Sequence, residues 1–146
     1  MIKIFGDTSD LGAIRELDKN PLVAGFTTNP TLMNKAGVRD YEKFCKEALS
    51  ITDKPISFEV FADDFDEMKR QAMIISSWGK NVYVKIPITN TKGESSCDLI
   101  ELLLNDGIKV NVTAITTPNQ VMDIFIGNNE TPVIFSFFAG RVADTG

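Results

Sequence analysis

Histidine is absent from the 146 residues. That removes Ser-His-Asp and Cys-His catalysis, histidine zinc sites and the side chain that most often serves as a general base near neutral pH. Acid–base chemistry in this chain falls to carboxylates, lysine, tyrosine or water. Cysteine is scarce: Cys45 and Cys97 fall in segments that read as helices and lack metal-ligand spacing. Two such thiols suit a reducing compartment rather than a disulfide framework, so a cytoplasmic location is expected. No apolar run approaches the ~20 residues a membrane helix needs. The opening Met1-Ile2-Lys3-Ile4-Phe5 is too short and too alternating for a signal peptide. Basic runs are also missing, and a net charge of −5 offers no counterion release to a polyanion. Neither a nucleic acid nor a membrane is expected as a partner.

What is present is a composition near the globular average, 43% hydrophobic and 24% charged. It supports a single domain over residues 1–146 with a real core. Short runs rich in Val, Ile and Phe, bounded by Gly, Pro, Asn or Asp, predict strands at Ile2–Phe5, Leu22–Thr27, Ile56–Val60, Val82–Ile88, Val110–Ile115 and Val133–Phe138. Amphipathic runs between them predict five helices. Ser9 and Asp10 precede the stripe Leu11, Ile14 and Leu17; Asp40 precedes Tyr41, Phe44, Cys45, Ala48 and Leu49. Asp63-Asp64 precede Phe65, Met68, Ala72 and Ile75, and Ser95-Ser96 precede Leu99, Leu102 and Leu103. Thr117 before Pro118 reads as a cap followed by proline in the first turn, with Val121, Ile124 and Phe125 as the apolar face. Alternating β and α units imply a parallel sheet covered by helices, either doubly wound or a barrel. No G-x-G-x-x-G follows the first strand, which weakens a dinucleotide-binding fold.

Every predicted strand carries polar residues within it or at its carboxyl end: Asp7; Thr27-Thr28-Asn29-Pro30; Ser57 and Glu59; Lys85; Asn111 and Thr113; Ser136. Side chains alternate along a strand, so Ser57 shares a face with Glu59, Asn111 with Thr113, and Thr27 with Asn29. If these faces point into a barrel, Asp7, Asn29, Glu59, Lys85 and Thr113 converge at its carboxyl end, where barrel active sites lie. Lys85 is the sharpest signal, a single cation inside Val82-Tyr83-Val84-Lys85-Ile86-Pro87-Ile88. Burial disfavours the ammonium, and a neutral amine can attack a ketone to form a Schiff base. The competing expectation is an edge-strand lysine with its head in water. Glu59 reads as an acid–base group or as an ion-pair partner of Lys85, two roles that are compatible. Asp7 has an alternative as a turn or cap residue, Asn29-Pro30 as a turn, and Thr113 as an ordinary β-branched strand residue.

At these residues the chain resembles the transaldolase family. Phe5-Gly6-Asp7-Thr8, Thr27-Thr28-Asn29-Pro30-Thr31-Leu32, Val84-Lys85-Ile86-Pro87, Asn111-Val112-Thr113 and Ser136-Phe137-Phe138-Ala139-Gly140-Arg141 carry the resemblance in order along the chain. It implies an α/β fold of the (β/α)8 TIM-barrel type. It also implies transfer of a dihydroxyacetone unit between sugar phosphates, the chemistry of the pentose phosphate pathway. Lys85 would be the Schiff-base lysine. Asp7 would handle the proton of the hydroxyl released on bond cleavage. Glu59 and Thr113 would position a water that shuttles protons. Thr27, Asn29, Asn111 and Ser136 would bind and orient the donor, and Arg141 would bind a phosphate. No metal or organic cofactor is implied.

Fructose-6-phosphate aldolases are similar but carry glutamine at the third strand and a tyrosine near the sixth. Glu59 and the apolar Ile134, Phe135 and Phe137 favour transfer over simple aldol cleavage. Two departures stand out. Gly6 replaces the larger apolar residue usual before the aspartate. About six strands and five helices are expected where the full barrel has eight of each. An incomplete barrel is therefore expected, with homo-oligomerisation as one way to cover its edges. A fructose-6-phosphate aldolase-like enzyme and a non-catalytic partial barrel are the alternatives.

Overall fold

The computed structural model describes residues 2–35, 37–122, 124 and 130–144. Aspartate side chains begin three of its helices, as the sequence predicts. Asp10 accepts from the Ala13 amide at 2.6 Å to start α1 (Leu11–Asp18). Asp40 accepts from Lys43 to start α3 (Tyr41–Ile51), and Asp64 from Glu67 to start α4 (Phe65–Ser76). Ser9 makes no such cap; its hydroxyl donates to the Asn29 carbonyl at 3.3 Å. At α5 (Cys97–Asn105) Ser96 holds the cap position without a cap bond, and its buried hydroxyl has no partner among the described residues. The Thr117-Pro118 signal marks α6 (Asn119–Met122), where Gln120 Oε1 reaches back to the Thr116 and Thr117 amides. Val121 packs against the core and Ile124 is buried; Phe125, expected on the same face, lies outside the described residues.

Two short helices join the five expected: α2 (Pro30–Lys35) and α7 (Ala139–Asp144). Asn29-Pro30 is thus a helix start rather than only a turn. Asn29 Oδ1 accepts from the Thr31 amide at 2.7 Å, and proline fits the first turn because its missing N–H would have no helical partner.

The strands are β1 (Ile4–Asp7), β2 (Val23–Thr27), β3 (Ile56–Glu59), β4 (Val82–Pro87), β5 (Val110–Ile115) and β6 (Val133–Phe137). All neighbours are parallel, in the order β1-β2-β3-β4-β5-β6. A doubly wound sheet reverses strand order at a switch point. This sheet never does, so its crossovers all progress one way, as in a barrel. Curvature has a direct measure. Asn111 Nδ2 on β5 donates to Ser57 Oγ on β3 at 3.0 Å, across the intervening β4. In a flat sheet two strand spacings would hold those residues ~10 Å apart. The fold is a curled half-barrel, an incomplete (β/α)8 barrel.

On the convex side Phe26, Ile56, Phe58, Val84, Ile86, Val110 and Val112 are buried against Ile14, Ala48, Met68, Ala72, Ile100 and Leu103 of the helices. Full burial of such side chains contributes roughly 1.5–3 kcal/mol each. Among the described residues no helix is long and apolar enough to cross a membrane. Cys45 and Cys97 are free and buried.

Gly25 is required by close packing. A Cβ there would lie 2.5 Å from Phe5 Cε1 and 2.6 Å from the Pro55 carbonyl oxygen. The aromatic ring has some freedom to move, but the backbone oxygen on β3's approach does not. Gly25→Ala is expected to destabilise the protein by about 1–3 kcal/mol. A urea unfolding curve with an unchanged midpoint would show that the β1–β2–β3 spacing tolerates the methyl.

Candidate active site

Strand register determines which side chains face the concave side. Glu59, Lys85, Asn111 and Ile134 stand in one row across β3 to β6; Asp7, Thr27, Ser57 and Tyr83 stand in another across β1 to β4. Their neighbours along each strand go to the convex core. Lys85 lies on an inner strand and is only 6% exposed. That rules out the edge-strand alternative. Its Nζ donates to the Thr28 carbonyl at 3.0 Å and sits 3.2 Å from Glu59 Oε2. A buried ammonium without such partners would be strongly disfavoured.

Below this pair runs a hydrogen-bonded polar chain. Ser136 Oγ donates to Asn111 Oδ1 at 2.7 Å, and Asn111 Nδ2 donates to Ser57 Oγ. Thr28 Oγ1 donates to the Ser57 carbonyl at 2.9 Å. Ser57 and Thr28 were not among the expected site residues, although both were visible as polar positions at strand ends. The structure brings Asn111 and Ser136 together, and they spend their amide oxygen and hydroxyl on each other.

The rim is less convergent than the alternation rule predicts. Asp7 is exposed at the end of β1, in register with Thr27, and no ion pair joins it to Lys85. Thr27 is the last residue of β2, so strand alternation ends there and does not carry Asn29 to the same face. Asn29 instead caps α2 through its side-chain oxygen. Thr113 is buried on the concave side, in register with Pro87. Just beyond it Ala114 has φ 60°, inside an irregularity where Val112 pairs with Phe135 but Ile115 pairs with Phe137. The extra residue resets the alternation. Thr113 stays inward and Ile115, which would otherwise follow it, turns into the convex core. A non-glycine residue in the left-handed region costs about 1 kcal/mol or more, and such strain is concentrated at functional sites. Arg141 is in α7, and its side chain lies outside the described residues.

Behind the Glu59–Lys85 pair is an aromatic base. Tyr41 stacks edge-on to Phe61 with ring centres 4.5 Å apart, and Trp78 contacts both Tyr41 and Phe58. The Tyr41 hydroxyl donates to the Glu59 carbonyl at 2.8 Å. Burial pushes both the Tyr41 phenol and the Cys45 thiol well above their ordinary values. Helical spacing predicts Tyr41 only as part of the core stripe of α3. Nothing in helical spacing reveals where a hydroxyl at the ring's far end will reach.

The sequence model of one family, Transaldolase/Fructose-6-phosphate aldolase, matches residues 4–146. The chain belongs to that family. Relatives of this transaldolase-family chain include the probable transaldolase 2 of Listeria monocytogenes, 38% identical over 145 residues, which are 99% of this chain and 63% of the relative. The probable transaldolase of Streptococcus agalactiae is 38% identical, covering 99% of this chain and 64% of its own length. That of Thermoanaerobacter is 37% identical over 143 residues, 98% of this chain and 62% of the relative. The chain therefore spans a little under two thirds of the length of these relatives. Gly6, where a larger apolar residue was expected, sits in a tight space. A Cβ there would lie 3.1 Å from Leu17 and 3.2 Å from the Phe26 ring, which already fill the space.

Two expectations follow for this family member. Asn111→Ala would leave the Ser57 and Ser136 hydroxyls around an unfilled space, at a cost of about 1–3 kcal/mol. An unaltered urea midpoint would show that the polar chain contributes no stability. Alkaline pH should also destabilise the fold. Cys45 and Tyr41 hold their protons longer folded than unfolded, so their contribution is fully present below the unfolded thiol value of about 8.5. It declines as pH rises past that value and past the phenol's ~10. Urea midpoints measured from pH 7 to 10.5 should fall, and Cys45→Ala should flatten the earlier part of the fall.

Proposed function

We propose that this protein performs Schiff-base chemistry on sugar phosphates, transferring a dihydroxyacetone unit from a ketose phosphate to an aldose phosphate. One observation carries the proposal: a lysine amine buried on the concave face of a half-barrel, 3.2 Å from a carboxylate. The names of the relatives support it, and Glu59 in place of glutamine favours transfer over cleavage alone.

In this scheme Lys85 passes its proton toward Glu59, and the nitrogen lone pair attacks the ketose carbonyl carbon. The carbinolamine loses its oxygen as water, with Glu59 and Thr113 holding the water that relays protons. The iminium then accepts the electron pair of the carbon–carbon bond one carbon removed. Asp7 takes the proton of the hydroxyl that becomes the leaving aldehyde. The enamine left on Lys85 adds to the carbonyl of an incoming aldose phosphate, the adduct's new alkoxide regains a proton, and water releases the ketose product and the free amine. Thr27, Asn29, Asn111 and Ser136 orient the donor hydroxyls. Because the Asn29 oxygen caps a helix, its substrate contact would fall to Nδ2. Arg141 would take a phosphate.

Incubation with fructose 6-phosphate followed by borohydride should add a reduced sugar phosphate to Lys85, mapped by mass spectrometry. Lys85→Met should abolish the adduct by more than about 10³-fold while leaving the circular dichroism spectrum unchanged. A folded, unmodified protein with no adduct on Lys85 would sink the proposal. Free dihydroxyacetone accumulating without an acceptor would identify an aldolase instead of a transferase.

A further inference from the structure

The ladder between β2 and β3 advances two residues per rung. The Phe26 amide donates to the Pro55 carbonyl at 2.7 Å, and the Thr28 amide to the Ser57 carbonyl at 3.2 Å. The next rung would run from the amide of residue 30 to the carbonyl of Glu59. Residue 30 is proline and has no N–H to give. The chain has also turned into α2 at that point. A strand-end carbonyl in this half-buried setting needs another donor.

That donor is the Tyr41 hydroxyl, at 2.8 Å, presented from the first residue of α3. The rest of the strand end is tied down from other directions. The Val60 amide donates to the Lys85 carbonyl at 3.2 Å. The Phe61 and Ala62 amides both donate to Gln71 Oε1 from α4, at 2.8 and 3.1 Å. Glu59 is thereby the one residue of this stretch whose backbone depends on a phenol.

We propose that Tyr41 is a positioning residue: its hydroxyl occupies the ladder place that Pro30 leaves empty, and so sets the direction in which the Glu59 carboxylate meets Lys85. Its consequence for turnover rests on the Schiff-base reading of Lys85. The Tyr41 hydroxyl bonds the Glu59 carbonyl and is not among the partners of the Lys85 amine. It acts through the backbone of Glu59, and a misdirected carboxylate slows proton transfer without altering sugar binding.

The test compares the unaltered chain, Tyr41→Phe and a stability control, Ile14→Val, whose side chain lies in the core on α1. Adduct formation on Lys85 is followed in time with fructose 6-phosphate and borohydride, beside urea unfolding. For Tyr41→Phe the rate constant at saturating sugar should fall roughly tenfold, with the half-saturating concentration and the final amplitude little changed. Ile14→Val should lower the urea midpoint yet leave the rate constant as it was. An unchanged rate constant in Tyr41→Phe, a loss confined to amplitude, or an equal fall in Ile14→Val would overturn the assignment. If the unaltered chain forms no adduct, the Schiff-base reading fails on its own. A crystal structure of Tyr41→Phe then decides the positioning role. A Glu59 carboxylate displaced beyond about 4 Å from Lys85 Nζ supports it, and a pair kept at its present separation refutes it.

Discussion

The Lys85 amine, held away from bulk water, is the polar group around which the concave face is organised. The Lys85 side chain sits on an inner strand with little solvent contact, so its partners must come from the protein. They come from two different places: a carboxylate on the adjacent strand and a backbone carbonyl just past the end of β2. The lysine can reach that carbonyl because the sheet curls. The same curvature lets Asn111 span β4 to meet Ser57 and builds a satisfied polar layer under the pair. Apolar packing on the convex face holds the curve, while the polar chain lines its inside.

Irregular backbone at the carboxyl ends of the strands completes this arrangement. Pro30 ends the β2–β3 ladder and opens a helix in the same step, which passes the last carbonyl of β3 to a tyrosine. At β5 the extra residue Ala114 takes a left-handed conformation and lets Thr113 on the concave side be followed by Ile115 in the convex core. Regular strands alone would have placed Ile115 on the polar face. Both departures lie at the carboxyl end, where barrel folds carry their chemistry. At the opposite end the β1–β2 ladder has an irregularity of its own, where Ile4 pairs with Val23 but Phe5 with Gly25.

Family membership and catalytic role stand on different footings. The family match covers residues 4–146, and Lys85, Glu59, Asn111 and Thr113 lie on one concave face. The chain spans a little under two thirds of its relatives' length, and β1 and β6 form the edges of the described sheet. The concave face gathers an amine, a carboxylate and hydrogen-bonding groups.

Local sequence determined the elements. Aspartate caps, β-branched runs and the 3.6-residue spacing of apolar side chains marked all six strands and five of the helices, because each signal acts within one turn or one pleat. Alternation also put Ser57 with Glu59, and Asn111 with Thr113, on common faces. Tertiary structure decided the rest. Whether Lys85 is an edge or an inner residue depends on strand order, which no single strand encodes. Asn29 left the predicted face because its strand stopped two residues earlier, at Thr27, and Asp7 stayed in solvent at the sheet's edge. The roles of Thr28 and Tyr41 arise from a backbone carbonyl and a phenol meeting partners far along the chain. Such contacts require the curl of the whole sheet, and curvature is a property of many strands packed together.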